Sequence, residues 1–233
     1  MKTLAIIPSR YASTRFPGKP LVDIGGKTMI QRVYEQVQQA KGISHIIIAT
    51  DNVRIENEAR RIDAEVLMTS PEHKSGTDRC AEVINTIFEN FDAVINIQGD
   101  EPFIHPEQIE QVAKLLNDPQ TQIVSLARKI KDQRDVSDPS KVKVVFDNHK
   151  KALQFSRKMI SVGENYLHVG IYGYKTSILK EIALLPQSKM EIAESLEQLR
   201  WLENGYSIHM DITGHESFGI DTPEDLSNIK RLL

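Results

Sequence analysis

The stretch "TLAIIPSRYASTRFPGKP" (residues 3–20) passes from a short apolar run into a loop of prolines, small hydroxyls and three cations, Arg10, Arg15 and Lys19, with no acid. A brief apolar run closed by proline reads as a buried strand, and a loop of this charge asks for an anionic guest. The same pattern recurs in "HIIIAT" (45–50), "AEVLMT" (64–69), "AVINIQ" (93–98) and "QIVSLA" (122–127), all rich in branched aliphatics. Between them, "TMIQRVYEQVQQA", "VRIENEARRID", "TDRCAEVINTIFEN" and "PEQIEQVAKLLN" place apolar residues three and four apart, the spacing of one helix face. Strand–helix alternation predicts an α/β fold: a mostly parallel, Rossmann-like central sheet covered by helices, with ligands at the carboxyl ends of the strands.

The second half changes character. "VKVVFD", "KALQFS" and "YLHVGIYGY" read as longer, antiparallel strands joined by turns such as "DNHKK". Two helical patterns follow, "KTSILKEIALL" and "SKMEIAESLEQLRWLENG", the latter closed by Gly205. A strand "SIHM" and a last helix complete the chain, with Thr222 as its cap and Pro223 at its first position. No long linker, repeat or low-complexity segment interrupts. The predicted organisation is one domain over residues 1–233 with a smaller antiparallel excursion at about 130–175.

Composition narrows the function classes. The chain has 233 residues, 40% hydrophobic and 26% charged, as soluble globular proteins do. A net charge of -3 argues against a general nucleic-acid binder, so any positive site is local. The single cysteine, Cys80, excludes an internal disulfide framework and points to a reducing compartment, the cytoplasm. Apolar runs are too short to span a membrane, and "MKTLAII" meets polar sequence too soon for a signal peptide.

Three junctions carry residues suited to chemistry. In the opening loop, Arg10, Arg15 and Lys19 supply charge and Ser13 a small hydroxyl for phosphate oxygens; the same residues also suit a solvated basic loop. "GGKT" (25–28) is not a Walker loop, because the G-x-x-x-x-G-K-S/T pattern requires glycine where Leu21 stands. In "IQGDEPF" (97–103), Asp100 leaves a strand through a glycine turn, and Asp221 in "GIDTPED" follows another apolar run. Two such carboxylates beside a phosphate loop suit Mg²⁺, a hard cation that takes oxygen ligands; either acid also suits a helix-capping turn. "HKSGTDR" (73–79) offers Lys74, Ser75, Gly76, Thr77 and Arg79 at a further strand-to-helix junction, where a helix start capped by Thr77 or Ser75 is the plainer reading. At Asp51 in "ATD" (49–51) the helix cap is preferred.

Taken together, "IIPSRYASTRFPGKPLVDIGGKTMI", "ATDN", "MTSPEHKSGTDR", "INIQGDEPFI", "HVGIYGY", "ESLEQLRWLENGY" and "GIDTPEDL" resemble, in order and over nearly the whole chain, the 3-deoxy-manno-octulosonate (Kdo) cytidylyltransferases, or CMP-Kdo synthetases. The resemblance implies a nucleotide-diphospho-sugar transferase fold, a homodimer, Mg²⁺ dependence and the transfer of CMP from CTP to Kdo for lipopolysaccharide biosynthesis. It implies that Arg10, Ser13, Arg15, Lys19, Ser75, Gly76 and Arg79 bind CTP, with Arg10 and Lys19 also catalytic. Asp100 and Asp221 are the implied metal ligands. Gln98, Arg157, His168, Tyr172, Glu197 and Gln198 are implied to bind the sugar acid. One departure stands out: "SRKMISVGENYLHVG" (156–170) lacks the family's Ile-Pro and is shorter than its counterpart. The alternatives are CMP activation of a related acid, 8-amino-Kdo or a sialic-acid type, and a catalytically silent nucleotide sensor. Nucleic-acid and membrane partners are not expected.

Overall fold

Branched aliphatic side chains on both faces of the early strands leave them only one stable place, the inside of a sheet covered on both sides. The computed structural model describes residues 1–12, 16–216 and 218–230. Strand β1 (Thr3–Ser9) leads to a 3-10 turn at Lys19–Leu21, a small hairpin of β2 (Asp23–Ile24) and β3 (Lys27–Thr28), and helix α1 (Met29–Gln39). Then come β4 (His45–Thr50), α2 (Val53–Arg61), β5 (Val66–Met68), α3 (Gly76–Thr86), β6 (Ala93–Asn96), α4 (Pro106–Leu115) and β7 (Ile123–Lys129). The second half contributes α5 (Gln133–Ser137), β8 (Lys143–Phe146), β9 (Ala152–Ser156), β10 (Tyr166–Lys175), α6 (Thr176–Ile182), α7 (Lys189–Glu194), α8 (Gln198–Glu203), β11 (Ile208–Ile212) and α9 (Pro223–Lys230).

The main sheet runs β11-β7-β10-β6-β1-β4-β5, with β8 beside β10 and β9 beside β8. β1 pairs in parallel with β4 and β6, β4 with β5, and β7 with β11, while β10 is antiparallel to both of its neighbours β6 and β7. This is the expected α/β fold with one correction. β10, read from sequence as part of the excursion, is a central strand, and its almost wholly buried pattern explains why. The excursion proper is the β8–β9 hairpin.

Successive residues of β1 serve opposite cores: Leu4 and Ile6 join one, Ala5 and Ile7 the other. On the first side lie Trp201, Tyr174 and Phe155; on the second, α1 contributes Ile30, Val33, Tyr34 and Val37, spaced as one helix face. Thr28 starts α1 by accepting from the Gln31 N–H at 3.3 Å. The expected helix "SKMEIAESLEQLRWLENG" is broken into α7 and α8, because Ser195 adopts the left-handed conformation (φ 53°). The predicted caps at Gly205 (φ 82°) and Thr222 are present; Thr222 Oγ1 accepts from the Asp225 N–H at 3.2 Å. Among the described residues, no helix is long and apolar enough to cross a membrane.

Candidate active site

A cavity of about 330 Å³ opens where β1, β6 and their loops end, at the carboxyl edge of the parallel strands. Its centre is Lys19, at the head of the 3-10 turn. Gly18 before it has φ +71°, and its N–H donates to the Tyr11 carbonyl at 3.0 Å, which turns the loop back towards the sheet. The Lys19 ammonium donates to Asp100 Oδ2 at 2.7 Å and to Asp221 Oδ1 at 3.1 Å. The two aspartates, far apart in sequence, therefore meet on one cation and line one cavity with Arg10 and Gln98.

Local packing explains the convergence. A Cβ on Gly99 would lie 2.8 Å from the Pro8 carbonyl oxygen, so only glycine lets the Asp100 loop press against the end of β1. The Ile220 N–H donates to the Asp100 carbonyl at 2.9 Å, and the buried Ile220 packs with Ile24 and Met29, fixing Asp221 beside it. Further out, His215 Nε2 and Glu107 Oε2 lie 2.8 Å apart, and the His105 and His215 rings stack at 3.7 Å and 9°. These contacts tie the start of α4 to the segment that follows β11.

The amino end of α3 faces the same cavity through Ser75 and Gly76. Ser75 caps the helix in a reciprocal box with Asp78: its Oγ accepts from the Asp78 N–H at 3.1 Å, and its own N–H donates to Asp78 Oδ2 at 3.2 Å. The positive end of the helix dipole makes this edge suited to an anion. Arg79 also borders the cavity, yet its guanidinium is held by Asp51 Oδ2 at 2.8 Å and by Thr69 Oγ1, and its side chain is 3% exposed. It braces the wall with no free fork to offer. Asp51 is thus an ion-pair partner, and the cap of α2 is Asn52, correcting the sequence reading. His73 and Lys74 line the cavity as well. Sequence reasoning named Lys74 at this junction but gave His73 no role, although His73 stands just ahead of the Ser-Gly-Thr motif.

The expected sugar residues separate. Tyr172 is buried in an aromatic layer, with the half-buried His168 and Glu197 beside it, and none of the three lines the cavity. His168 Nε2 lies 2.8 Å from Ser125 Oγ, and its ring meets those of Phe155 and Tyr172 at 5.2 and 5.3 Å. Burial lowers the His168 pKa to about 3, so the imidazole is neutral. Glu197 accepts from Thr77 Oγ1 at 2.9 Å, and burial raises its carboxyl to about 7 despite hydrogen bonds from Ser75 and Thr77. Gln198 is buried at the start of α8. Gln98 lies on the cavity side, against the β10 bulge, with its Cγ 3.6 Å from where a Cβ on Gly170 would stand. Arg157 is not brought to the cavity: its guanidinium donates to the carbonyls of Glu194 at 2.9 Å, Pro139 at 3.1 Å and Ser195 at 3.3 Å. Two of those acceptors, the Glu194 and Ser195 carbonyls, lie at the carboxyl end of α7, where free carbonyls want a cation. Ser13 and Arg15 lie outside the described residues.

Against this geometry, comparison with known proteins is specific. The sequence model of the family described as cytidylyltransferase matches residues 4–212. A 3-deoxy-manno-octulosonate cytidylyltransferase of Parabacteroides distasonis is 50% identical, over 97% of this chain and 96% of its own. An 8-amino-3,8-dideoxy-manno-octulosonate cytidylyltransferase of Shewanella baltica is 43% identical, over 100% and 99%. A solved CMP:2-keto-3-deoxy-manno-octonic acid synthetase complexed with CTP superposes with a TM-score of 0.93 at 40% identity, covering 100% of this chain and 98% of that one. A cavity walled by cations and a helix amino end, and matches that run the length of the molecule, lead to one conclusion: the chain belongs to the cytidylyltransferase family, in the branch of the 3-deoxy-manno-octulosonate cytidylyltransferases and their 8-amino relatives.

Proposed function

We propose that this enzyme transfers CMP from CTP to the anomeric 2-hydroxyl of Kdo, releasing pyrophosphate and supplying the activated sugar for lipopolysaccharide biosynthesis in the cytoplasm. The observation that carries the reading is the meeting of Asp100 and Asp221 on Lys19 beside the amino end of α3. It brings two hard oxygen donors and a phosphate-binding edge into one cavity.

In this reading Arg10, Lys19, Ser75 and Gly76 hold the triphosphate, and their charge and amides offset the build-up on phosphate oxygens as the sugar hydroxyl attacks the α-phosphorus. The oxygen pair of Asp100 and Asp221 fits Mg²⁺, which takes one or two carboxylates and completes its shell with phosphate and water. When bound, that ion supplies charge neutralisation and lowers the pKa of a hydroxyl it contacts. Gln98 reaches the sugar from the cavity side, with Tyr172, Glu197 and Gln198 behind it and neutral His168 as a hydrogen-bond partner. Pyrophosphate leaves in line, so positioning and charge dominate and no side chain need take a proton.

Pyrophosphate release with CTP and a panel of sugar acids tests the assignment. The expected order is Kdo first, with 8-amino-Kdo and a sialic acid at least about tenfold slower in kcat/KM. CTP binding without pyrophosphate release on any sugar acid would mark a nucleotide sensor and end the proposal. Within the site, Asp100→Asn should lower turnover at least about a hundredfold, measured at saturating CTP and Mg²⁺. Turnover near that of the parent would remove Asp100 from the metal pair.

A homodimer is part of the same proposal. The β8–β9 hairpin and the turn after it present Leu153, Met159 and Val162 at 63%, 45% and 77% exposure. β9 pairs with β8, and its start is bridged to β11, where Lys151 pairs with His209 and the Met210 N–H donates to the Lys150 carbonyl at 2.7 Å.

A further inference from the structure

Thr77 stands between the two halves of the site. It lies in the first turn of α3, directly after Gly76 of the cavity wall, and is 1% exposed. Its Oγ1 donates to Glu197 Oε2 at 2.9 Å and lies 3.3 Å from the Tyr174 hydroxyl. A hydroxyl has one proton to give, so with Glu197 ionised Thr77 donates to the carboxylate and receives from Tyr174. Glu197 Oε1 is enclosed and, among the described residues, has no hydrogen-bond partner, leaving it an acceptor in want of a donor. The groups facing this carboxyl are Ser75, Asp78 and Cys80 from α3, Tyr172 and Tyr174 from β10, and Arg200 from α8.

We propose that Thr77 is a positioning residue that couples the nucleotide-binding end of α3 to the sugar-binding end of α8, its hydroxyl fixing the Glu197 carboxylate on which sugar-acid recognition rests. The inference builds on the reading of Glu197 as a sugar contact. It adds that the Ser-Gly-Thr motif serves both substrates: Ser75 and Gly76 face the triphosphate while the next side chain points the opposite way. Burial pushes Glu197 towards its neutral form, and the hydroxyls of Ser75 and Thr77 oppose that push.

Steady-state kinetics with CTP and Kdo on Thr77→Val, Thr77→Cys and Thr77→Ser test it. Thr77→Val keeps the shape and loses the donor, so KM for Kdo should rise about tenfold, while KM for CTP stays within about twofold. Without its donor Glu197 ionises only at higher pH, so the defect should shrink as the assay moves from neutral to alkaline pH. Thr77→Ser should restore the parent KM, and Thr77→Cys, with its weaker donor, should fall between. Equal rises in both KM values, a defect indifferent to pH, or failure of serine to rescue would overturn the proposal. If the valine variant does not fold, the serine–cysteine contrast decides by the same criteria. Glu197→Gln separates the two layers. An unchanged Kdo KM in that variant removes Glu197 from the sugar site, whereas a raised one beside a normal Thr77→Val removes only the role of Thr77.

Discussion

Glu197 is a carboxyl whose proton affinity is set by its neighbours: burial raises it to about 7, and the hydroxyls of Ser75 and Thr77 pull the other way. The folded state therefore binds more protons than the unfolded chain between the ordinary value of 4.5 and about 7. Stability from this group is fully present below that window and is lost as pH rises through it. Glu197→Gln should then be more stable than the parent at pH 8, by about 3 kcal/mol at most, with the difference vanishing below pH 4.5; urea titrations at the two pH values measure it. His168 works in the opposite sense. Its neutral ring, held down to about 3, opposes folding as pH falls below 6.5. Neither shift was legible in the sequence, because nothing in "HVGIYGY" or "LEQLR" states which face of an element is dry. Asp100 and Asp221 were legible, since each ends an apolar run and such ends share the ligand edge of a parallel sheet. Asp51 was misread as a helix cap, because its partner Arg79 comes from a different junction.

At the scale of elements, among the described glycines the least room lies at Gly173, where α4 crosses β10. A Cβ on Gly173 would stand 2.5 Å from Val112 Cγ1 and 2.7 Å from Leu116 Cδ1, so the helix seats against bare backbone. Gly173→Ala should cost about 1–3 kcal/mol through overpacking, read as a fall in melting temperature without loss of the CTP site. The parallel strands, their helices and most caps were readable from periodicity and from threonine, proline and glycine at element ends. What periodicity did not reveal was the break between α7 and α8. The apolar spacing runs through Ser195 unchanged, and the reason for the break is remote: the Arg157 guanidinium collects the carbonyls of Glu194 and Ser195 from across the hairpin. Tertiary contacts of this kind have no local signature. The break nevertheless decides where Glu197 begins the next helix, so Arg157 bears on the sugar residues through the backbone.

For the whole molecule, the exposed Leu153 of β9 and Val162 of the turn after it make a single prediction. Light scattering should give a dimer for the parent, and Leu153→Glu with Val162→Glu should shift it towards monomer with the fold retained by circular dichroism. A monomeric parent would set the homodimer aside. The place of β10 was the least readable feature of the chain, since a run of alternating strands looks alike in an appended arm and in the heart of a sheet. Its insertion between β6 and β7 has a consequence for biosynthesis. The first half of the chain can complete β6-β1-β4-β5 as it leaves the ribosome, but β7 borders only β10 and β11, both synthesised later. Until Tyr166–Lys175 emerges, two aliphatic strand edges stand uncovered in the nascent polypeptide. Long-range closure of this sort is slow and prone to self-association, so chains halted before Tyr166 should depend on chaperones while those reaching Ile212 should not.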